Sequence, residues 1–382
     1  MINVLFVNFA SENFDGATLS LIDLINSIKN EVHPIVLLRS KGKVYDYFKN
    51  NDIECIVHNF IENAVASPKK IHQFVKYGIN LFPTIYKYQK INKKCLKEVC
   101  NVLEGRNIAV VHTNNTVLDI GYYIAKLLNA KHVWHLRGFM DLGLGWMPLM
   151  GWKNYHRLLQ KSDAVIGITN SVLYHYISKD SLNAYKIFDA VRGFNDTSLV
   201  VPKQKYFLFC AGLLTEQKGY GIAVEAFAQS GLFHEGYRLR IIGEKLPQYY
   251  KKVQKIIEKY KISEYIDHLG RINDVRQHFE HATAFLMCSQ NEGLGRVTVE
   301  SMFYGCPVLG RLSGGTSEIV TNGITGYCFN STSECALLMK KIAKENTLDI
   351  IKQAQDFARQ NFSIENYGAK IMHVYQTILT KK

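Results

Sequence analysis

The sequence predicts an α/β protein of two doubly wound, Rossmann-like domains facing a central cleft. Three observations lead there: the length, the rhythm of short apolar runs, and a polar joint between two series of them. At 382 residues the chain exceeds the roughly 250–300 residues at which a single core stops growing. Short apolar runs bounded by polar or glycine-rich turns alternate with helical patterns, as expected of parallel strands covered on both faces. The stretch "NDTSLVVPKQK" (195–205) reads as the linker. It sets a first domain at 1–198, a second at 199–362, and a last helix at 363–382 that can pack on either domain, including back on the first.

The first series of strands is "INVLFVNF", "HPIVLLRS", "IECIVHN", "NIAVVHTN", "HVWHLRG" and "DAVIGITN". The second is "YFLFCAG", "YRLRIIG", "IDHLGR", "TAFLMCS", "CPVLGR" and "TGYCFN". The closing pattern "SIENYGAKIMHVYQTIL" has apolar positions at Ile364, Tyr367, Ile371, Val374, Tyr375 and Ile378. Ser363 is its expected N-cap, with acidic Glu365 in the first turn. In sheets of this kind ligands bind beyond the carboxyl ends of the strands, so chemistry is expected in the loops that follow them.

Composition narrows the function classes. The eight cysteines form no CxxC pair and several sit inside apolar runs, the pattern of reduced, buried thiols in a cytosolic protein with no metal centre. The opening "MINVLFVNFA" lacks a basic leader region and reads as a buried strand. No uncharged apolar stretch approaches the roughly 18 residues a membrane span needs. The expected location is the cytoplasm, including the inner face of the cell membrane. A formal net charge of +13, shared by both halves, favours anionic partners: nucleic acid, an anionic lipid surface or phosphorylated small molecules.

The most informative segment is "NEGLGRVTVE" (291–300). With "TAFLMCS" before it and "CPVLGR" after, it forms a strand, loop and helix unit that puts Glu292 in the loop and Glu300 in the helix. Gly293 and Gly295 let backbone approach a ligand and free amides at the helix start, an arrangement that holds phosphate. A carboxylate beside phosphate is repelled, so each glutamate is better suited to accept hydrogen bonds from hydroxyls on either side of it. A sugar and a ribose flanking a diphosphate fit. A second glycine turn, Gly314 and Gly315, precedes Glu318.

Together "EGLGRVTVE", "GCPVLG", "GGTSEIV" and "GITGYCF" resemble the signature of the retaining glycosyltransferases of family 4, of the kind that build bacterial surface polysaccharide such as lipopolysaccharide or capsule. The resemblance implies the GT-B fold and a donor that is a nucleotide diphosphate sugar (UDP-, GDP- or dTDP-linked), without cofactor or metal. It implies that Glu292 contacts the donor sugar and Glu300 the ribose, with Gly293, Leu294, Gly295, Arg296 and Val297 along the sugar and diphosphate. "AGLLTEQKGYG" resembles the turn that places Lys218 on the phosphates. The family's arginine is replaced here by Leu213, which leaves Arg296 as a candidate for the missing charge. "LGRINDV" resembles the loop that meets the base, at Arg271 and Ile272.

In the amino-terminal half, "FVNFASENFDGATLSLIDLI" resembles the family's first strand, loop and helix. Gly16 is expected close to donor or acceptor, and Asp15 near the acceptor hydroxyl. An Asp-Gly turn ahead of a helix accounts for the pair equally well. "AVVHTNN" ends a strand with His112, Asn114 and Asn115, and "HVWHLRGF" ends the next with His135 and Arg137. Histidines there can bond a sugar hydroxyl or phosphate, and a buried arginine needs an anion. His112 joins Glu292 and Lys218 as a candidate catalytic residue; Asn114, His135 and Arg137 join Asp15 as acceptor contacts.

Residues 69–97 carry Lys69, Lys70, Lys76, Lys87, Lys90, Lys93, Lys94 and Lys97 and no acid, interleaved with Phe74, Tyr77, Phe82, Tyr86 and Tyr88. Helical apolar spacing makes this a basic amphipathic face, suited to an anionic lipid surface or simply to solvent. The expected reaction is hexosyl transfer to a hydroxyl of a glycan acceptor carried on a lipid. Two other readings compete: a sugar-nucleotide epimerase of similar build, and a basic protein that binds nucleic acid or lipid surfaces. The second leaves "EGLGRVTVE" unexplained, so nucleic acid is not an expected partner.

Overall fold

A computed structural model describes residues 1–12, 14–68 and 71–381, with the side chains of 71–77 and 144 not included. The chain divides into two compact units, Met1–Ala190 with Ile364–Lys382, and Val191–Ser363.

In the first unit the apolar runs form strands β1 (Ile2–Asn8), β2 (Val32–Leu38) and β3 (Glu54–Val57), a short β4 (Val65–Ala66), then β5 (Ile108–Thr113), β6 (Lys131–Leu136), a short β7 (Trp146–Met147), β8 (Ala164–Gly167) and β9 (Ala184–Lys186). Seven of them make one parallel sheet in the order β3-β2-β1-β5-β6-β8-β9. The two-residue β4 and β7 pair antiparallel to each other, a contact that no hydrophobic run announces.

The second unit holds β10 (Tyr206–Leu214), β11 (Arg238–Lys245), β12 (Ile266–Gly270), β13 (Ala284–Met287), β14 (Val308–Arg311) and β15 (Tyr327–Phe329). Its parallel sheet has the order β12-β11-β10-β13-β14-β15. Strands such as β8 and β13 are buried at every position, which is why they read as unbroken apolar runs rather than as alternation.

The unit boundary falls at Ala190/Val191, ahead of the expected 198/199. The reason is hydrogen bonding: the Val191 amide donates to Phe362 and the Ser198 amide to Phe303, both at 2.9 Å. Gln355 Nε2 donates to the Ser198 carbonyl at 2.8 Å. The whole of the polar joint 195–205 therefore belongs to the second unit.

The closing helix Ile364–Thr380 belongs to the first unit. Tyr367, Ile371, Val374, Tyr375 and Ile378 are buried against Leu21, Leu24 and Ile28 of the helix Gly16–Ile28, within the same core as Val4, Phe6 and Val110. Ser363 precedes this helix as read from sequence, but its buried hydroxyl has no hydrogen-bond partner among the described residues, so it does not act as a side-chain cap.

Candidate active site

In the second sheet β10 leads outward to β11 and β12, whereas β13 lies on its other side and leads to β14 and β15. The crevice beyond the carboxyl ends at such a reversal is where open α/β sheets bind ligands. The loop after β10 carries Lys218 and the loop after β13 carries Glu292. The structure brings them together, with Lys218 Nζ 2.8 Å from Glu292 Oε2.

Both loops depend on glycine for this approach. Gly219 has φ +76°, and a Cβ there would stand 2.1 Å from the Cys288 carbonyl oxygen. The double glycine supports the other loop from the side of β14. The Gly315 amide donates to the Glu292 carbonyl at 2.7 Å, and a Cβ on Gly314 would meet that same oxygen at 2.4 Å.

Gly295 opens the helix Arg296–Phe303, and a Cβ on it would meet Glu292 Cγ at 3.0 Å. The Glu292 side chain therefore lies across the start of this helix. Gly293, Leu294, Arg296 and Val297 belong to the same turn, with Leu294 buried. The first-turn amides and the helix dipole make this end a favourable seat for an anion.

Glu300 sits one turn further on and is held by Arg192, whose Nη2 donates to Oε1 at 2.9 Å. Arg192 Nε donates to the Tyr304 hydroxyl at 2.6 Å. Arg271 and Ile272 follow β12, at the edge of the sheet and two strands from β10. Leu213 is about half exposed on β10. Among the described residues no group of three or more His, Cys, Asp or Glu could hold a metal ion.

In the first unit the sheet reverses between β1 and β5. Asn114 Nδ2 ties the end of β1 to the start of the helix that follows it, donating to Asn8 Oδ1 at 2.9 Å and to the Ala17 carbonyl at 3.0 Å. Asp15 Oδ1 accepts from the Thr18 amide at 2.8 Å, so Asp15 is the N-cap of the helix that Gly16 begins. Both residues are exposed.

His112 and His135 correct an expectation. Neither has any exposed surface. His112 Nδ1 is 2.7 Å from the Tyr375 hydroxyl and its Nε2 is 3.1 Å from His135 Nδ1. Burial, with the Arg137 charge nearby, holds both imidazoles well below the usual histidine range. As placed, both are sealed from solvent, and His112 bonds Tyr375 of the closing helix.

Arg137 does have the anion that a buried arginine requires, and it is the chain's own Asp189. The same guanidinium donates to Asn114 Oδ1 at 2.6 Å through Nη2 and to the Tyr367 hydroxyl at 3.0 Å through Nη1. Asp189 and Arg192 were missed from sequence because both lie in "DAVRGFND", a stretch without a motif. The demand for a counter-charge on Arg137 was the one available signal.

HepE of Anabaena, crystallised with UDP, matches with a TM-score of 0.79 over 98% of this chain and 100% of its own, at 18% identity. The same protein crystallised with UDP-glucose matches at a TM-score of 0.74 and 16% identity, over 99% of this chain and 100% of its own. The fold is GT-B.

Residues 191–361 match the family described as glycosyl transferases group 1. An uncharacterized glycosyltransferase of Methanocaldococcus jannaschii is 24% identical over 95% of each chain. The N-acetyl-alpha-D-glucosaminyl L-malate synthase of Bacillus anthracis is 22% identical over 77% of this chain and 80% of its own. The second unit is thus similar in sequence to the group 1 glycosyl transferases, and the whole chain shares its fold with HepE.

Proposed function

We propose that this protein transfers a hexosyl unit from a nucleotide diphosphate sugar to a hydroxyl of a lipid-carried glycan, with retention at the anomeric carbon. The observation that carries the donor half is the Lys218 to Glu292 pair beside the amino end of the Arg296–Phe303 helix. A diphosphate seated at that helix end displaces Glu292 from Lys218 and takes the ammonium as its own counter-charge. Glu292 then turns to the sugar hydroxyls, and Glu300, oriented by Arg192, takes the ribose. UDP in the HepE structures supports a uridine donor.

In the reaction the acceptor oxygen forms its bond to the anomeric carbon on the face from which the diphosphate departs. The bond from that carbon to the diphosphate oxygen breaks, and the hydroxyl proton passes to the departing phosphate. Lys218, the helix amides and Arg296 stabilise the negative charge that develops there. The first unit offers Asp15 and Gly16, exposed beyond the carboxyl end of β1, to the acceptor.

Isothermal titration with UDP-sugars, together with transfer assays on Lys218→Ala and Glu292→Ala, tests this reading. The expected results are donor binding, weakened in Lys218→Ala, and transfer abolished in Glu292→Ala. Absence of binding for every nucleotide sugar, or full transfer by Glu292→Ala, overturns it.

A further inference from the structure

The helix Ile71–Val102 turns one face to the first unit's core and the opposite face outward. Tyr88, Asn92, Cys95 and Val99 are buried on the inner face. Tyr88 anchors it, its hydroxyl donating to Asp119 at 2.7 Å, while Asn92 exchanges hydrogen bonds with the Ile61 backbone at 2.8 and 3.0 Å. Lys69 and Lys70 lie outside the described residues, as do the side chains of Phe74, Lys76 and Tyr77, and nothing below rests on them.

The outward face has two parts in one line. Ile79, Phe82 and Tyr86 are 71%, 80% and 67% exposed. Such exposure is normal for one apolar side chain and unusual for three at helical spacing. Lys90, Lys93 and Lys97 continue the same stripe and are exposed; none has an ion-pair partner among the described residues. Lys94, by contrast, pairs with Glu98 at 3.7 Å. At 1.5 Å per residue the stripe runs about 27 Å.

We infer that this stripe is a docking surface for an anionic lipid bilayer. Ile79, Phe82 and Tyr86 enter the boundary between headgroups and acyl chains, and the three lysines lie along the surface with their ammonium groups on lipid phosphates. An apolar end followed by unpaired cations on one face suits a layer that is apolar within and anionic at its surface. A second copy of the chain suits it poorly. Three apolar side chains cannot supply the roughly 800 Å² per partner of a stable protein interface, and two lysine rows would face each other.

The surface lies in the first unit, so the inference stands independently of the donor reading. The test is flotation of the full chain with vesicles of phosphatidylcholine alone and with about one third phosphatidylglycerol. Expected is binding to the anionic vesicles only. Lys90→Gln, Lys93→Gln and Lys97→Gln together should lower the partition coefficient about a hundredfold. The pair Ile79→Ser and Phe82→Ser should lower it at least about tenfold. Both variants should keep the wild-type unfolding temperature and UDP-sugar affinity, because every substituted side chain is exposed. No binding to anionic vesicles, wild-type binding by either variant, or a concentration-dependent dimer that Ile79→Ser and Phe82→Ser dissolves overturns the inference.

Discussion

Arg192 Nη2 donates to Glu300 Oε1 at 2.9 Å while its Nε holds the Tyr304 hydroxyl, so one guanidinium fixes the direction of the second glutamate of "EGLGRVTVE". With Glu300 as the reader of the ribose hydroxyls, Arg192→Gln should raise the donor KM about tenfold or more, the scale of one lost charge-assisted hydrogen bond. The kcat should change little, since Arg192 touches no reacting atom. Arg192→Lys should recover part of the affinity. Equal losses in kcat and affinity, or no loss at all, would contradict this positioning role.

The buried pair of Arg137 and Asp189 makes a separate prediction about stability. Asp189→Ala strands a guanidinium inside the first unit and should cost about 3–5 kcal/mol, whereas replacing both members with leucine should recover much of it. All three tryptophans, Trp134, Trp146 and Trp152, lie in this unit, so urea unfolding followed by their fluorescence reports it selectively. A cost under about 1 kcal/mol would place the guanidinium in contact with water.

Acid should loosen the same unit. Burial holds His132 down to about 3 and keeps His112 and His135 well below their ordinary value. The unfolded chain takes up these protons first, near pH 6.5, so the stability is complete above that pH and is lost below it. Each histidine costs about 1.4 kcal/mol per pH unit. Asp119 acts in the opposite sense. Burial raises it to about 6, so the folded form keeps its proton longer and gains stability as pH falls from 6 towards the ordinary carboxyl value. The net expectation is a loss of about 3 kcal/mol per pH unit below pH 6. A fluorescence midpoint in urea that is the same at pH 7.5 and 5.5 would refute it.

Two glycines distinguish strain from steric exclusion. Gly314 and Gly323 both have positive φ, +53° and +76°, but only at Gly314 does a Cβ collide, with the Glu292 carbonyl oxygen at 2.4 Å. Gly323→Ala should therefore cost about 1–2 kcal/mol of stability and leave donor affinity intact. Gly314→Ala should cost more and should also weaken UDP-sugar binding, because the Glu292 loop must move. Equal donor affinities for the two variants would separate the double glycine from the donor seat.

Sequence made the second unit more legible than the first. Parallel strands such as "TAFLMCS" and "CPVLGR" announce themselves by being apolar throughout, and the Glu292 turn declares its glycines. Charge partnerships are another matter. Lys218 and Glu292 are far apart along the chain, as are Arg192 and Glu300, and only the sheet order brings each pair together. The same blindness hid the internal partners of His112, His135 and Arg137. Polar residues at strand ends look alike whether they meet a ligand or, as here, Tyr375, Asp189 and Tyr367. The lysine-rich helix reads as amphipathic from its spacing, but which of its apolar residues stay outside depends on Tyr88, Asn92 and Cys95 taking the inner face.

The closing helix gives synthesis an order. Residues 364–380 leave the ribosome after the whole of the second unit, yet Tyr375 is the partner of His112 and Tyr367 a partner of Arg137. The half of the chain that emerges first must therefore wait for a late segment before its interior is closed. Nascent chains released just short of this helix would expose Leu21, Leu24 and Ile28 to the chaperones while carrying an intact Val191–Ser363 unit. Damage at the carboxyl end would thus be felt at the amino end.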